Sequence, residues 1–204
     1  MPRSASTSPP ERDGAALVTP PPLPDDAGPV LLRLARAAVA RELGERVDVD
    51  ESADWLARPG AAFVTLWSGP HLRGCIGSLE ARRPLREDVE ANARAAAFRD
   101  PRFVPLSRAE LATVQVEVSV LSDVTPFPVA DEADALARLR PGVDGVVLTC
   151  CGRRGTLLPQ VWERLPAPVD FLAALRTKAG LPAGFWSDEV RLGRYTVSEY
   201  AEEV

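Results

Sequence analysis

The sequence predicts an α+β domain with a mainly antiparallel sheet flanked by helices. Residues 113–122 alternate, with Val114, Val116, Val118 and Val120 on one side and Gln115, Glu117 and Ser119 on the other. That is the pattern of a half-buried antiparallel strand. Residues 84–98 place Leu85, Val89, Ala93 and Ala96 on one helical face. Strands and helices alternate without a strand–helix–strand rhythm, which speaks against a doubly wound parallel sheet.

Taken in order, residues 1–27 are rich in Pro, Ser, Ala and Asp and include Pro20-Pro21-Pro22. This composition favours extended polyproline conformation and predicts a disordered leader, with the folded domain over 28–204. Residues 29–43 show helical spacing (Leu31, Leu34, Ala35, Ala38, Val39), with Asp26 as a candidate cap and Gly44 as a stop. Ser52 is a candidate cap for a short turn through Trp55 and Leu56. Residues 61–68 alternate, with Phe63, Thr65 and Trp67 on one face and Val64 and Leu66 on the other, both largely apolar, as in a central strand. Gly69-Pro70 turns the chain into a second strand over 72–79, giving a hairpin. Pro84 suits the first helical turn, Glu87 and Asp88 favour its positive end, and Asp100-Pro101 stops it. A short helix is expected over 131–139, and a hairpin of 146–150 with 156–158 across Gly152-Arg153-Arg154-Gly155. A helix over 168–179 turns Phe171, Leu172 and Leu175 inward and ends at Gly180. A final strand is expected over 189–197, carrying Val190, Leu192, Tyr195 and Val197.

The 204 residues and 46% hydrophobic content suit one domain with a closed core. A net charge of -5 makes nucleic-acid binding an unlikely role, since it would need clustered cations. No apolar run is long enough for a membrane span, and the N-terminus lacks a signal-peptide pattern, so the expected compartment is the cytoplasm. Cys75, Cys150 and Cys151 form no disulfide framework, and His71 is the sole histidine, so no metal site is expected. No phosphate loop, dinucleotide fingerprint, nucleophile elbow or radical-SAM cysteine triad appears, so no cofactor is expected.

The segment with chemical interest is His71-Leu72-Arg73-Gly74-Cys75-Ile76-Gly77-Ser78. On a regular strand His71, Arg73, Cys75 and Gly77 share a face. Arg73 would favour a thiolate at Cys75, Gly77 would leave space beside it, and His71 is a weak candidate for its base. The alternative is a structural cysteine, a solvated turn histidine, and glycines that let another element cross closely. Asp100 and Arg102 bracket Pro101 and either enter the same cleft or form a structural ion pair. Asn92 lies near an apolar helix face and needs a hydrogen-bond partner there, and Gln160 poses the same choice. Glu117 and Ser119 belong to a solvated sheet face or to a lined groove. Cys150 and Cys151 read as small apolar fillers on opposite strand faces.

Arg73-Gly74-Cys75-Ile76-Gly77 resembles the signature of the AMMECR family. The likeness continues through Asn92, through Ala95-Ala96-Ala97-Phe98-Arg99-Asp100-Pro101-Arg102-Phe103, and through Val116-Glu117-Val118-Ser119-Val120-Leu121. It includes Gly142-Val143-Asp144-Gly145, Leu157-Leu158-Pro159-Gln160-Val161 and Lys178-Ala179-Gly180-Leu181, and spans roughly residues 29–200. The resemblance implies a large and a smaller subdomain, with the signature near the cleft between them. Gly74, Gly77, Arg73, Asp100, Arg102 and Gln160 are then candidate ligand-binding residues. Bacterial members of the family often occur as protein A of the AmmeMemoRadiSam system, so the resemblance implies Memo-like and radical-SAM proteins as expected partners. The run Arg164-Leu165-Pro166-Ala167-Pro168 stands where a typical member has Gly-Trp-Asp. The resemblance implies no particular reaction. Three roles follow: an accessory component binding a small molecule or partner beside Cys75, a thiol enzyme with Cys75 as nucleophile, or a protein-interaction module without a ligand.

Overall fold

The computed structural model describes residues 23–203. The expected leader lies outside the described residues as far as residue 22. From Leu23 onward the chain packs against the core, and helix α1, Ala27–Glu42, starts within the span assigned to the leader. Asp26 stands at the cap position of α1 without a side-chain cap bond, and Pro24 O accepts the Ala27 amide instead. Ser52 likewise caps nothing. The short 3-10 turn Asp54–Ala57 begins after Ala53, and the Ser52 amide donates to Asp50 Oδ1 at 3.0 Å.

Strands β1, Pro59–Ser68, and β2, His71–Gly77, form the expected hairpin. The two-residue β3, Arg83–Pro84, pairs with the start of β1 and leads into α2, Leu85–Phe98. After the one-turn helix α3, Arg108–Leu111, comes β4, Gln115–Leu121. Then follow β5, Thr125–Phe127; α4, Glu132–Arg138; β6, Gly145–Cys150; and β7, Arg153–Leu157. A 3-10 turn, Pro159–Glu163, precedes α5, Pro168–Lys178, and the chain returns through β8, Arg191–Tyr195, and β9, Val197–Ala201.

Two antiparallel sheets result. The larger has the order β2-β1-β4-β9 with β3 beside β1, and the smaller has the order β5-β8-β6-β7. Each has its own core. Ala62, Val64, Leu66, Val116 and Val118 meet Leu31, Leu34 and Val89 of α1 and α2 in the large lobe. Val146, Leu148 and Leu192 meet Phe171, Leu172 and Leu175 of α5 in the small one. Within the large lobe, Asn92 Nδ2 donates to Ala62 O at 2.9 Å, while the Ala62 amide donates to Asp88 Oδ2 at 2.8 Å. The buried amide therefore stitches α2 to β1.

Two expected elements are corrected. The strand over 189–197 divides at Thr196 into β8 and β9, which belong to different sheets. Packing on either side of Thr196 is the physical reason: Tyr195 pairs with Gly145 of β6 and its ring fills the space where a Gly145 Cβ would lie 2.4 Å away, whereas Val197 pairs with Leu121 of β4. The chain thus passes between lobes twice, after β4 and at Thr196. The crossings are tied by Ser122 N–H to Thr196 O at 2.9 Å and Thr196 N–H to Ser122 Oγ at 3.0 Å. The second correction is the hairpin tip. Cys151 and Gly152 make it, with φ of 54° and 71°, so Arg153, Arg154 and Gly155 lie inside β7. Positive φ at both central residues is what a two-residue hairpin turn requires. It removes Cys151 from the strand and exposes it, whereas Cys150 is buried.

Candidate functional site

β2 is an edge strand, so its outward backbone groups need partners other than a strand. Asp100 and Arg102 supply them. The Cys75 amide donates to Asp100 Oδ2 at 2.9 Å, and Arg102 Nη2 donates to Cys75 O at 3.2 Å. Arg102 also holds Asp100 through Nε–Oδ1 at 2.9 Å and Nη2–Oδ2 at 2.6 Å. That pairing, joined by the Cys75 and Arg102 amides, keeps the buried Asp100 carboxyl well below the usual carboxylate range. Pro101 fixes the loop that presents both side chains. Asp100 and Arg102 therefore form an ion pair whose outer atoms continue the sheet.

The glycines of the signature serve close packing. A Cβ on Gly74 would stand 2.2 Å from the carbonyl oxygen of Ala96, because α2 crosses directly over the strand. A Cβ on Gly77 would stand 2.2 Å from the ring of its cross-strand neighbour Phe63.

Arg73 does not take the regular position that alternation assigns to it. The β1–β2 register shifts between Leu66, opposite Gly74, and Trp67, opposite Leu72, which leaves Arg73 as the extra residue of a bulge. Its Nε donates to Glu110 Oε1 at 2.8 Å and its Nη2 to Val104 O at 3.0 Å, while Nη1 is buried without a hydrogen-bond partner. Arg73, helped by the Ser107 amide and hydroxyl, pulls the Glu110 carboxyl down to about 2. The Arg73 and Arg102 guanidinium groups both lie over the Phe103 ring, 5.9 and 5.5 Å from its centre. His71 pairs with Ser68 at the exposed start of β2. It lies four residues from Cys75, about 13 Å at ~3.3 Å per residue, so the two side chains are not brought together.

The Cys75 side chain belongs to the sheet face opposite α1 and α2. Thr65 stands across from it and donates its hydroxyl to Cys75 Sγ at 3.3 Å. Thr65 in turn stands opposite Glu117, and the next row runs Gly77, Phe63, Ser119, Glu199. Trp67 Nε1–H donates to Glu117 Oε2 at 3.1 Å. Burial raises the Glu117 carboxyl, the Trp67 hydrogen bond opposes this, and the charge of Glu199 adds to it. Gln160 arrives from the small lobe on the 3-10 turn and donates its amide to Glu199. Cys75 and Gln160 thus mark opposite margins of one polar face. β2 and β9 are three strand spacings apart, about 14 Å at ~4.8 Å per spacing. Arg154 of β7 pairs with Glu80 of the large lobe, a second side-chain link between the lobes.

Two open concavities lie elsewhere. One of about 470 Å³ is lined by Ser78, Glu80, Arg82, Arg83 and Asp88, and one of about 600 Å³ on the small sheet is lined by Val124, Phe127, Thr149 and Arg191. Neither is lined by Cys75. The chemistry at Cys75 belongs to a partly covered sheet face, on which Thr65 and Ser119 are buried and Cys75 and Glu117 half-buried. Thr65, Trp67 and Glu199 were not singled out from sequence. Thr65 and Trp67 were legible as facing together, but only the β4–β9 register places Glu199.

Among the described residues no helix is long and apolar enough to cross a membrane. The chain is similar to an uncharacterised structure from Pyrococcus horikoshii, with a TM-score of 0.72 and 31% identity over 89% of this chain and 94% of that one. It is 41% identical to a protein of Aeropyrum pernix, covering 91% of this chain and 83% of the relative. It is 36% identical to a protein of Methanothermobacter thermautotrophicus, covering 89% and 97%. The AMMECR1 family model matches residues 32–200, which takes in both sheets, the Cys75 edge and the Gln160 turn. A match of the family model over residues 32–200, most of the chain, shows that this chain belongs to the AMMECR1 family.

Proposed function

We propose that this protein is a cytoplasmic accessory component that binds a small polar molecule, or a segment of a partner, on the sheet face beside Cys75, in association with Memo-like and radical-SAM proteins. The observation that carries the reading is the polar row Cys75–Thr65–Glu117 on the face opposite α1 and α2, bounded by Glu199 and Gln160. Polar side chains on a half-covered face, with Thr65 and Ser119 buried and Cys75 and Glu117 half-buried, are poor core and good recognition surface. Glu117, with its raised carboxyl, accepts or donates a hydrogen bond according to its protonation. Trp67 offers an aromatic ring beside it. Arg73, Asp100 and Arg102 hold the edge on which Cys75 is presented, and Gly74 and Gly77 let that edge lie close to its neighbours. Arg73 retains one donor, Nη1, without a partner.

The test is a thermal-shift screen of small polar metabolites on the full chain, followed by Glu117→Gln and Glu199→Gln. A hit that raises Tm in the natural protein and loses most of that shift in both variants supports the reading. A hit indifferent to both overturns the site. No hit at all, alongside a stable complex with a Memo-like or radical-SAM protein, replaces it with the ligand-free interaction module.

The Thr65 hydroxyl at 3.3 Å from Cys75 Sγ favours a second reading, a thiol enzyme with Cys75 as nucleophile, because a fixed polar partner orients a nucleophilic sulfur. Cys75→Ser separates the two. It abolishes turnover if Cys75 is the nucleophile and leaves ligand affinity within a few-fold if the face only binds.

A further inference from the structure

The tip of the β6–β7 hairpin carries a side-chain cluster separate from the Cys75 face. Cys151 is the one non-glycine residue with positive φ among the described residues, at 54°. Glycine or asparagine is the usual choice at such a turn position, because a Cβ there is crowded. Its sulfur lies 2.8 Å from Cys150 Sγ and 3.5 Å from Glu189 Oε2, although Glu189 comes from the loop before β8. Ser187 Oγ adds an oxygen 3.7 Å from Cys150 Sγ. One ligand atom from each of Cys150, Cys151 and Glu189 lies within 4.8 Å of the other two. One thiol is buried, and the other thiol and the carboxylate are exposed, so one side of the cluster is open to entry.

We propose that Cys150, Cys151 and Glu189 bind a thiophilic divalent cation, of which zinc is the type, at this hairpin tip. The donor set is two sulfurs and one oxygen. Ser187 or a water completes four-coordination. With bonds of ~2.3 Å to sulfur and ~2.1 Å to oxygen, tetrahedral geometry separates sulfur from oxygen by about 3.6 Å and sulfur from sulfur by about 3.8 Å. The 3.5 Å Cys151–Glu189 distance already fits. The sulfurs must open by about 1 Å from their present spacing, which rotation of the exposed Cys151 side chain supplies. The balance is one cation in and two thiol protons out, leaving two thiolates and a carboxylate around a double positive charge. A bound cation pins the loop before β8 to the β6–β7 turn and closes that end of the small lobe.

The test is a titration of the reduced full chain with cadmium, which reports thiolate ligation by its ultraviolet charge-transfer band, followed by zinc. One equivalent should saturate the band, a large excess of zinc should compete with cadmium, and zinc alone should raise Tm. Cys151→Ser should abolish the band. Glu189→Gln should weaken binding by about tenfold or more while leaving the unloaded fold intact by circular dichroism. Cys75→Ser should change nothing, which separates this site from the sheet face. The proposal is overturned by the absence of a band at stoichiometric cadmium, by a band that depends on Cys75, or by equal affinity in Glu189→Gln.

Discussion

The two cysteine-bearing hairpins differ in what surrounds the sulfur. At the β1–β2 hairpin, Cys75 is half-buried on a regular stretch of strand, with backbone held by Asp100 and Arg102 and a neutral hydroxyl aimed at its sulfur. At the β6–β7 hairpin, Cys151 sits on the turn itself, exposed, facing another thiol and a carboxylate. Those neighbours push the Cys151 thiol up to about 11, the Cys150 contact acting most, then burial and Glu189. The difference teaches that strand position alone does not set the chemistry of a thiol. Cys75 faces a neutral hydroxyl, whereas the neighbours of Cys151 disfavour its thiolate unless a cation arrives.

The largest contrast is in backbone tolerance. Gly74→Ala should cost about 3 kcal/mol, because the methyl group meets a helix carbonyl that cannot rotate away. Gly152→Ala, with nothing within 4 Å and φ at 71°, should cost only about 1 kcal/mol of backbone strain. Denaturant midpoints decide this, and equal losses would erase the distinction between a packed edge and a free tip.

Asp100→Asn comes next. It weakens the support of the Cys75 amide and leaves Arg102 without its anion, a loss of about 1–2 kcal/mol after allowing for solvent screening of the half-exposed Arg102. Because the folded-state carboxyl titrates lower than its unfolded form, its stabilisation is present above about pH 4 and is lost as pH falls through the folded value. The natural protein should lose its advantage over Asp100→Asn progressively below about pH 4. A constant difference down to strong acid would contradict the pairing.

Glu117→Gln should act oppositely and more weakly. The folded carboxyl is raised, so its contribution is full below about pH 4.3 and is lost as pH rises through the folded value. At neutral pH the variant should therefore gain up to about 0.5 kcal/mol on the natural protein, a small effect because the group is partly solvated. The smallest expected effect is kinetic. Thr65→Val should slow alkylation of Cys75 a few-fold near neutral pH while leaving Cys151 labelling unchanged, which peptide mapping of labelled thiols will show.

The long periodic elements were legible because burial enforces their period. The valines of β4 and the small-residue face of α2 are core in the structure as the pattern implied. Asp100 and Arg102 were placed together by Pro101, yet their role in completing the edge of β2 depended on a strand order that no local pattern carries. Arg73 was set beside Cys75 by assuming strict alternation, which a one-residue bulge cancels. The division of β8 from β9 was hidden because the residues on both sides of Thr196 have strand character, and only tertiary packing assigns them to separate sheets. Cys150 packs in the small-lobe core as a small apolar residue, whereas Cys151 is exposed because the strand expected there gives way to a turn tip.

The nesting of the small lobe between β4 and β9 bears on how the molecule is made. β9 completes the sheet beside β4, and Glu202 after it receives Arg36 of α1 and the Val116 amide. During synthesis the small lobe, contiguous from β5 to β8, has all its strands before β9 leaves the ribosome. The larger sheet must wait with an open flank until then, so a holding factor that shields β4 in the nascent chain would protect the half of the molecule that begins first and closes last.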